Sequence, residues 1–126
     1  MNTRLLFNVS AAIEILTGVA MLIVPALLIG LLLGEGLGPT GVAVTRVLGV
    51  GLLSLGIAGW DSQQQVPGTV LGPRTGLFVY NVGATALFVY LGTIGAMNGL
   101  FLWPAAALHL VISLLMLGAI IRPRQE

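Results

Sequence analysis

Three ionisable side chains, Glu14, Arg46 and His109, lie inside long apolar segments of the sequence. A carboxyl group and an imidazole can act together as general acid and base, and either can carry a proton or bind a polar ligand group. An ionised residue at the centre of a membrane helix costs at least about 2.5–3.5 kcal/mol, so such residues face the interior of a helix bundle or an aqueous cavity. We therefore expect any functional site to be built around these three residues.

Each of the three also has a purely structural interpretation. Glu14 shares a helical face with small and polar residues such as Ser10 and Gly18, so it could anchor helix packing through a hydrogen bond. Arg46 lies near the end of its segment and could extend its guanidinium to the membrane interface. For His109, a neutral ring bonded to Glu14 or to a backbone carbonyl is expected ahead of a haem ligand, because only methionine could supply a second axial ligand.

Two further polar residues, Tyr80 and Asn81, are candidates to extend a network around Glu14 and His109, although each alone is more often a contact between helices. The chain has no cysteine, which excludes thiolate catalysis, disulfide exchange and cysteine-ligated metals. No nucleophile triad, metal-ligand cluster or phosphate loop is present. We predict no metal and no cofactor, while a bound lipid or quinone would suit the apolar composition.

The composition is that of a membrane protein. Hydrophobic residues make up 57% of the 126 residues and charged residues only 7%, too little charge for the surface of a soluble domain. A membrane-spanning helix needs about 20 mostly apolar residues, and Pro25 should end the first span and begin a short interfacial helix at residues 25–33. The predicted fold is all-α, a single domain of residues 1–126 with four transmembrane helices at about 5–24, 42–60, 76–97 and 100–121.

The arginines predict the orientation of this bundle. Four of the five fall at helix ends that share one side of a four-span topology: Arg4, Arg74, Arg122 and Arg124. The loops expected on the other side, residues 34–41 and 98–99, contain no lysine or arginine, so both termini are predicted to be cytoplasmic. The net charge of +1 gives no reason to expect a nucleic-acid partner.

Depth in the membrane relates the three ionisable residues to one another. With a rise of about 1.5 Å per residue, Glu14 lies roughly 13–14 Å from the cytoplasmic boundary and His109 only a few ångströms further out. Arg46 lies higher, about 6 Å below the outer boundary. A pair formed by Glu14 and His109 near the middle of the membrane is therefore geometrically feasible, with Arg46 above it.

Short motifs along the whole chain resemble those of one membrane-protein family. They are the proline break Val24-Pro25-Ala-Leu-Leu, the segment Arg46-Val-Leu-Gly49 leading to Leu55-Gly56-Ile-Ala-Gly-Trp60, and the pair Tyr80-Asn81. In these features the sequence resembles the small four-helix bacterial membrane proteins related to the DoxX family. The resemblance implies a four-helix bundle in the bacterial inner membrane with links to redox or quinone-related processes, and it supplies no catalytic residues.

A second resemblance concerns Glu14 alone. Its position in Ala-Ala-Ile-Glu-Ile-Leu, within the first of four short spans, is similar to that of the proton-coupled carboxylate of small multidrug resistance exporters. The aromatic pattern of the third span in those exporters is not evident here, and neither Arg46 nor His109 has a counterpart in them.

Three functions follow from these observations. The leading hypothesis is a non-enzymatic membrane module, either an accessory subunit of a larger complex or homo-oligomer, or a binder of a lipid-like or quinone-like molecule. The second is a small proton-coupled transporter centred on Glu14. The third is an intramembrane acid–base enzyme that uses Glu14 and His109, such as an isomerase or cyclase acting on an apolar substrate.

Overall fold

A computed structural model describes residues 2–60 and 72–121. These residues form five helices and no strand: α1 (Thr3–Ile23), α2 (Pro25–Leu33), α3 (Pro39–Gly59), α4 (Pro73–Thr93) and α5 (Leu102–Ile121). All but α2 are long and apolar enough to cross a membrane. The predicted all-α architecture with four apolar spans is confirmed. Arg122 and Arg124, used above to predict orientation, lie outside the described residues.

Prolines mark where the helices begin. Pro25, Pro39 and Pro73 are the first residues of α2, α3 and α4, where the missing N–H group removes no helical hydrogen bond. Spans two and three therefore begin three residues earlier than predicted. The short second helix, expected at residues 25–33, has those bounds in the structure.

The connection between α4 and α5 differs from the prediction of a tight turn at residues 98–99. Helix α4 ends at Thr93 rather than continuing to residue 97, and Gly95 adopts a left-handed conformation with φ 69°. Such a residue commonly follows a helix end, and glycine adopts this conformation without steric cost. The connection is consequently a longer loop, residues 94–101.

This longer loop is bonded to the end of α2. The amides of Asn98 and Phe101 donate to the carbonyl oxygens of Leu33 and Leu31, over 3.1 Å and 2.8 Å. The last carbonyl groups of a helix have no partners within it, so these bonds satisfy acceptors that would otherwise be unpaired. A Cβ atom on Gly99 would overlap the backbone of α2, which shows how closely the two segments approach.

Glycines bring α1 and α3 into close antiparallel contact. A Cβ on Gly18 would lie 2.7 Å from the carbonyl oxygen of Gly49, and one on Gly49 would lie 2.8 Å from that of Gly18. Further along, a Cβ on Gly56 would lie 2.7 Å from the carbonyl oxygen of Ala11. Small residues permit this approach, and close packing is a main source of helix association in lipid.

The bundle is thus composed of two helix pairs, α1 with α3 and α4 with α5. Two apolar clusters occupy its interior at different levels of α1, one including Ala11 and the other including Met21. Between these levels, α1 carries Glu14. The interior is therefore apolar at both ends and polar at an intermediate level, where α1 faces α4 and α5.

Candidate functional site

A buried hydrogen-bond network centred on Asn81 joins three helices. Its side-chain nitrogen Nδ2 donates to the carbonyl oxygen of Leu77, 2.8 Å away on α4, and to the hydroxyl of Ser10, 3.1 Å away on α1. Its oxygen Oδ1 lies 2.8 Å from Nδ1 of His109 on α5. Ser10 and Asn81 are fully buried and His109 is 7% exposed.

The same network determines which ring nitrogen of His109 carries hydrogen. A carbonyl oxygen only accepts, so the amide NH₂ group of Asn81 must point at Leu77 and its oxygen at His109. That oxygen also only accepts, and Nδ1 of His109 must therefore be the donor. In the neutral imidazole Nε2 is then an acceptor, an assignment that follows from the hydrogen-bond partners.

Glu14 lies one turn of α1 beyond Ser10 and is fully buried. Neither of its carboxyl oxygens has a hydrogen-bond partner. The only other buried side-chain atom in this condition among the described residues is Nε of Arg74, whose guanidinium lies 5.1 Å from the centroid of the Phe7 ring. Buried polar groups are nearly always paired, so the unpaired carboxyl group requires an explanation.

Tyr80 connects Glu14 with His109. Its hydroxyl lies beside the carboxyl group of Glu14, close enough for electrostatic attraction and a weak hydrogen-bonding interaction, but the two groups do not reach the distance and angle of a formed hydrogen bond. Its ring meets the His109 ring edge-on at 5.7 Å between centroids, and Phe88 lies 5.9 Å from the same imidazole. We call Glu14, Tyr80, Asn81 and His109, together with Ser10, the polar cluster.

The predicted relationship between Glu14 and His109 requires correction. Both residues neighbour Tyr80, which is consistent with the similar depth predicted for them. A direct hydrogen bond between them is absent, and so is a bond from His109 to a backbone carbonyl group through Nδ1, because that atom bonds Asn81. The imidazole is thus held by α4, and the carboxyl group of α1 stays unpaired.

Arg46 does not belong to the polar cluster. It is exposed on the surface of the bundle. It precedes Gly49 by one turn of α3, and Gly49 faces Gly18 of the antiparallel α1, so Arg46 lies beyond Gly18 on the side away from Glu14. Of its two predicted roles, extension toward the interface agrees with this position, and partnership with Glu14 does not.

Two members of the site were not singled out from the sequence. Ser10 was recognised only as a neighbour of Glu14 on one helical face, and that spacing is the signal that could have identified it. Phe88 is an apolar residue in an apolar helix, and nothing in its local sequence indicates contact with His109.

The described parts of the chain contain no group of three or more His, Cys, Asp or Glu residues that could hold a metal ion. The fold is a helical bundle whose four long helices have the length and apolar composition of membrane spans, which suggests a multi-pass membrane protein. Comparison of the chain with protein-family models, curated proteins and solved structures finds no match. The geometry of the polar cluster is therefore the main indication of function.

Proposed function

We propose that this protein is a non-enzymatic module of the bacterial inner membrane that binds a lipid-like or quinone-like molecule between its two helix pairs. The polar group of this ligand would contact Glu14 and Tyr80. The observation that carries the proposal is the fully buried carboxyl group of Glu14, whose two oxygens have no hydrogen-bond partner.

A purely structural role for Glu14 agrees poorly with this observation. A side chain that anchors helix packing does so by bonding across the interface, as Asn81 does with Ser10 and His109. Glu14 makes no such bond, and an unsatisfied buried polar group costs about 1–3 kcal/mol. A ligand that donates to the carboxyl group would offset this cost.

The surroundings of Glu14 have the character of a ligand site. Such sites are mostly apolar and aromatic, with a few placed polar groups. Here Tyr80 supplies aromatic surface beside Glu14 and also packs on the apolar cluster of Met21, Ile29 and Leu52, while Phe88 lies against His109. The backbone of α1 approaches α3 more extensively than α4 or α5, so the polar cluster lies at the looser junction.

The resemblance to DoxX-related proteins is consistent with this proposal through its link to quinone-related processes. The chain would have both termini in the cytoplasm and could serve as an accessory subunit of a larger complex or homo-oligomer, with lipid around its apolar outer faces. An acid–base enzyme receives less support, because Glu14 and His109 are not hydrogen-bonded to each other.

A proton-coupled transporter centred on Glu14 is the second candidate. The unpaired carboxyl group also supports it, since a carboxyl group without fixed partners can exchange a proton with a passing substrate. The two candidates differ in what Glu14→Gln changes. This substitution should abolish pH-dependent substrate movement in vesicles if the protein is a transporter.

Native mass spectrometry tests the binding proposal. The full-length protein would be extracted gently from its own membrane, as wild type, as Glu14→Leu and as Glu35→Gln. Glu35 is an exposed carboxyl residue and serves as the matched control. We expect a retained lipid-like mass in the wild type and in Glu35→Gln that is lost in Glu14→Leu. A wild-type spectrum without a bound molecule, or one unchanged in Glu14→Leu, would contradict the proposal.

A further inference from the structure

We propose that the polar cluster selects a ligand that donates hydrogen bonds, so that a hydroquinone or other phenolic lipid binds in preference to the corresponding quinone. This inference depends on the proposed function, a ligand bound at Glu14 and Tyr80, and adds the hydrogen-bonding character of its polar group. It follows from the unpaired carboxyl group of Glu14 and from the tautomer of His109.

The tautomer of His109 makes its second nitrogen an acceptor. The carbonyl oxygen of Leu77 orients the Asn81 amide, and the amide oxygen takes the hydrogen of Nδ1. Nε2 of the neutral ring therefore has a lone pair and no hydrogen. A quinone carbonyl group cannot donate to it, whereas a hydroxyl group can.

Glu14 presents acceptors as well. Its two oxygens are unpaired, and a carboxyl group retains an acceptor oxygen whether it is ionised or protonated. A ligand hydroxyl group can therefore bond Glu14 in either state. A quinone, which has only acceptors, could bond Glu14 only through a proton on the carboxyl group itself.

The Asn81 amide offers a ligand no donor. The two hydrogens of the Asn81 amide are directed at Leu77 and Ser10, so this amide has none left for a ligand. The hydroxyl of Tyr80 is a donor that can also accept. Tyr80 neighbours both Glu14 and His109, so the acceptors flank the same aromatic side chain. A ligand hydroxyl group beside Tyr80 would therefore have acceptors on two neighbouring side chains, Glu14 and His109.

Binding of three probes with the same ten-carbon tail tests the inference. They are a benzohydroquinone, its oxidised benzoquinone, and the dimethyl ether of the hydroquinone, which retains the ring but has no donor. The full-length protein in lipid nanodiscs would be titrated anaerobically, and bound probe measured by equilibrium dialysis. One additional hydrogen bond of typical net strength corresponds to about tenfold in affinity. We expect the hydroquinone to bind about tenfold more tightly than either other probe.

His109→Phe removes the Nε2 acceptor and keeps a ring of similar size, so this preference should fall several-fold, whereas the exposed Arg46→Gln should leave it unchanged. The wild-type comparison is informative even if His109→Phe does not fold. Equal binding of the three probes, or a preference for the quinone, would overturn the inference while the proposed function stands. Binding of none of the probes in the wild type would overturn both.

Discussion

Nδ1 of His109 lies 2.8 Å from Oδ1 of Asn81, a contact between α5 and α4 across 28 positions of sequence. Asn81 also bonds Ser10 of α1, so one amide side chain connects both helix pairs. The polar side chains at this level of the bundle therefore fall into two groups, those that bond one another and one that does not. Ser10, Asn81 and His109 satisfy one another, while Glu14 stays unpaired beside Tyr80.

Asn81→Leu should destabilise the bundle. It leaves the Nδ1–H group of His109 without its acceptor in a buried position, and such a loss costs about 1–3 kcal/mol. Thermal unfolding in detergent would measure the decrease. Thr93→Val is the matched control, since the Thr93 hydroxyl is exposed and bonds only the nearby carbonyl oxygen of Tyr90, and its effect should stay within about 0.5 kcal/mol. Equal melting temperatures for the two variants would contradict a structural role for Asn81.

The protonation pattern of His109 can be observed directly. Nitrogen-15 NMR of the protein labelled at its single histidine should show hydrogen on Nδ1 and none on Nε2 in the neutral ring, because Asn81 accepts from Nδ1. In Asn81→Leu this preference should weaken, since the acceptor is gone. A wild-type spectrum with hydrogen on Nε2 would invalidate both the assigned amide orientation and the ligand preference inferred from it.

Gly49→Leu should disrupt the contact between α1 and α3. The first side-chain carbon would lie 2.8 Å from the carbonyl oxygen of Gly18, a backbone atom that can move only with its helix. We expect at least about 1–3 kcal/mol of destabilisation, as for other overpacked interiors. Gly51→Leu is the control on the same helix, because a Cβ there meets nothing within 4 Å. A similar melting temperature for the two variants would show that the glycine contact does not hold the pair together.

Glu14→Leu should stabilise the ligand-free protein. The substitution removes two buried oxygens that have no partners, and replacing an unsatisfied buried group by an apolar one is favourable. We expect a higher melting temperature in detergent together with loss of any co-purifying ligand, while Glu14→Gln should be mild in stability. A fall in melting temperature for Glu14→Leu would instead identify Glu14 as a structural anchor.

The orientation predicted from the arginines can be tested with single cysteines, since the chain has none of its own. Under the inner-membrane location proposed above, Gly36→Cys, in the loop between α2 and α3, should react with a membrane-impermeant maleimide added to intact cells with a permeabilised outer membrane. Thr3→Cys, at the start of α1, should react only after the inner membrane is opened. The reverse pattern would place both termini outside the cytoplasm.

Much of the architecture was predictable because it depends on local properties. Runs of apolar residues predicted the four long helices, and Pro25 predicted the start of α2. The end of α4 was misplaced by four residues, since Ile94, Ala96 and Met97 are as apolar as the helix before them. The positive φ of Gly95 and the bond from Asn98 to Leu33 of α2 accompany the end of that helix, and neither is visible in apolar composition.

The sequence predicted the level along the helices at which the site lies, but it did not predict which polar side chains bond to one another. Rise per residue predicted Glu14 and His109 near one depth with Tyr80 and Asn81 as candidate neighbours, and in the structure Tyr80 lies beside both residues and Asn81 bonds His109. The rotation of each helix about its own axis decides which side chains meet, and it is set by packing such as the glycine contact between α1 and α3. That packing directs His109 to Asn81 rather than to Glu14 and leaves Arg46 on the outer surface.

The sequence by itself determined that the chain is helical, that four of its helices are long and apolar enough to span a membrane, and which few ionisable residues lie within them. These properties follow from the transfer of apolar residues out of water and from the need of each backbone group for a hydrogen bond. Both effects depend on runs of consecutive residues, which the sequence shows directly. Only the tertiary structure decided that the carboxyl group of Glu14 is unpaired. Pairing depends on distances between residues on different helices, and a difference of a few ångströms separates a hydrogen-bonded carboxyl group from one free to bind a ligand.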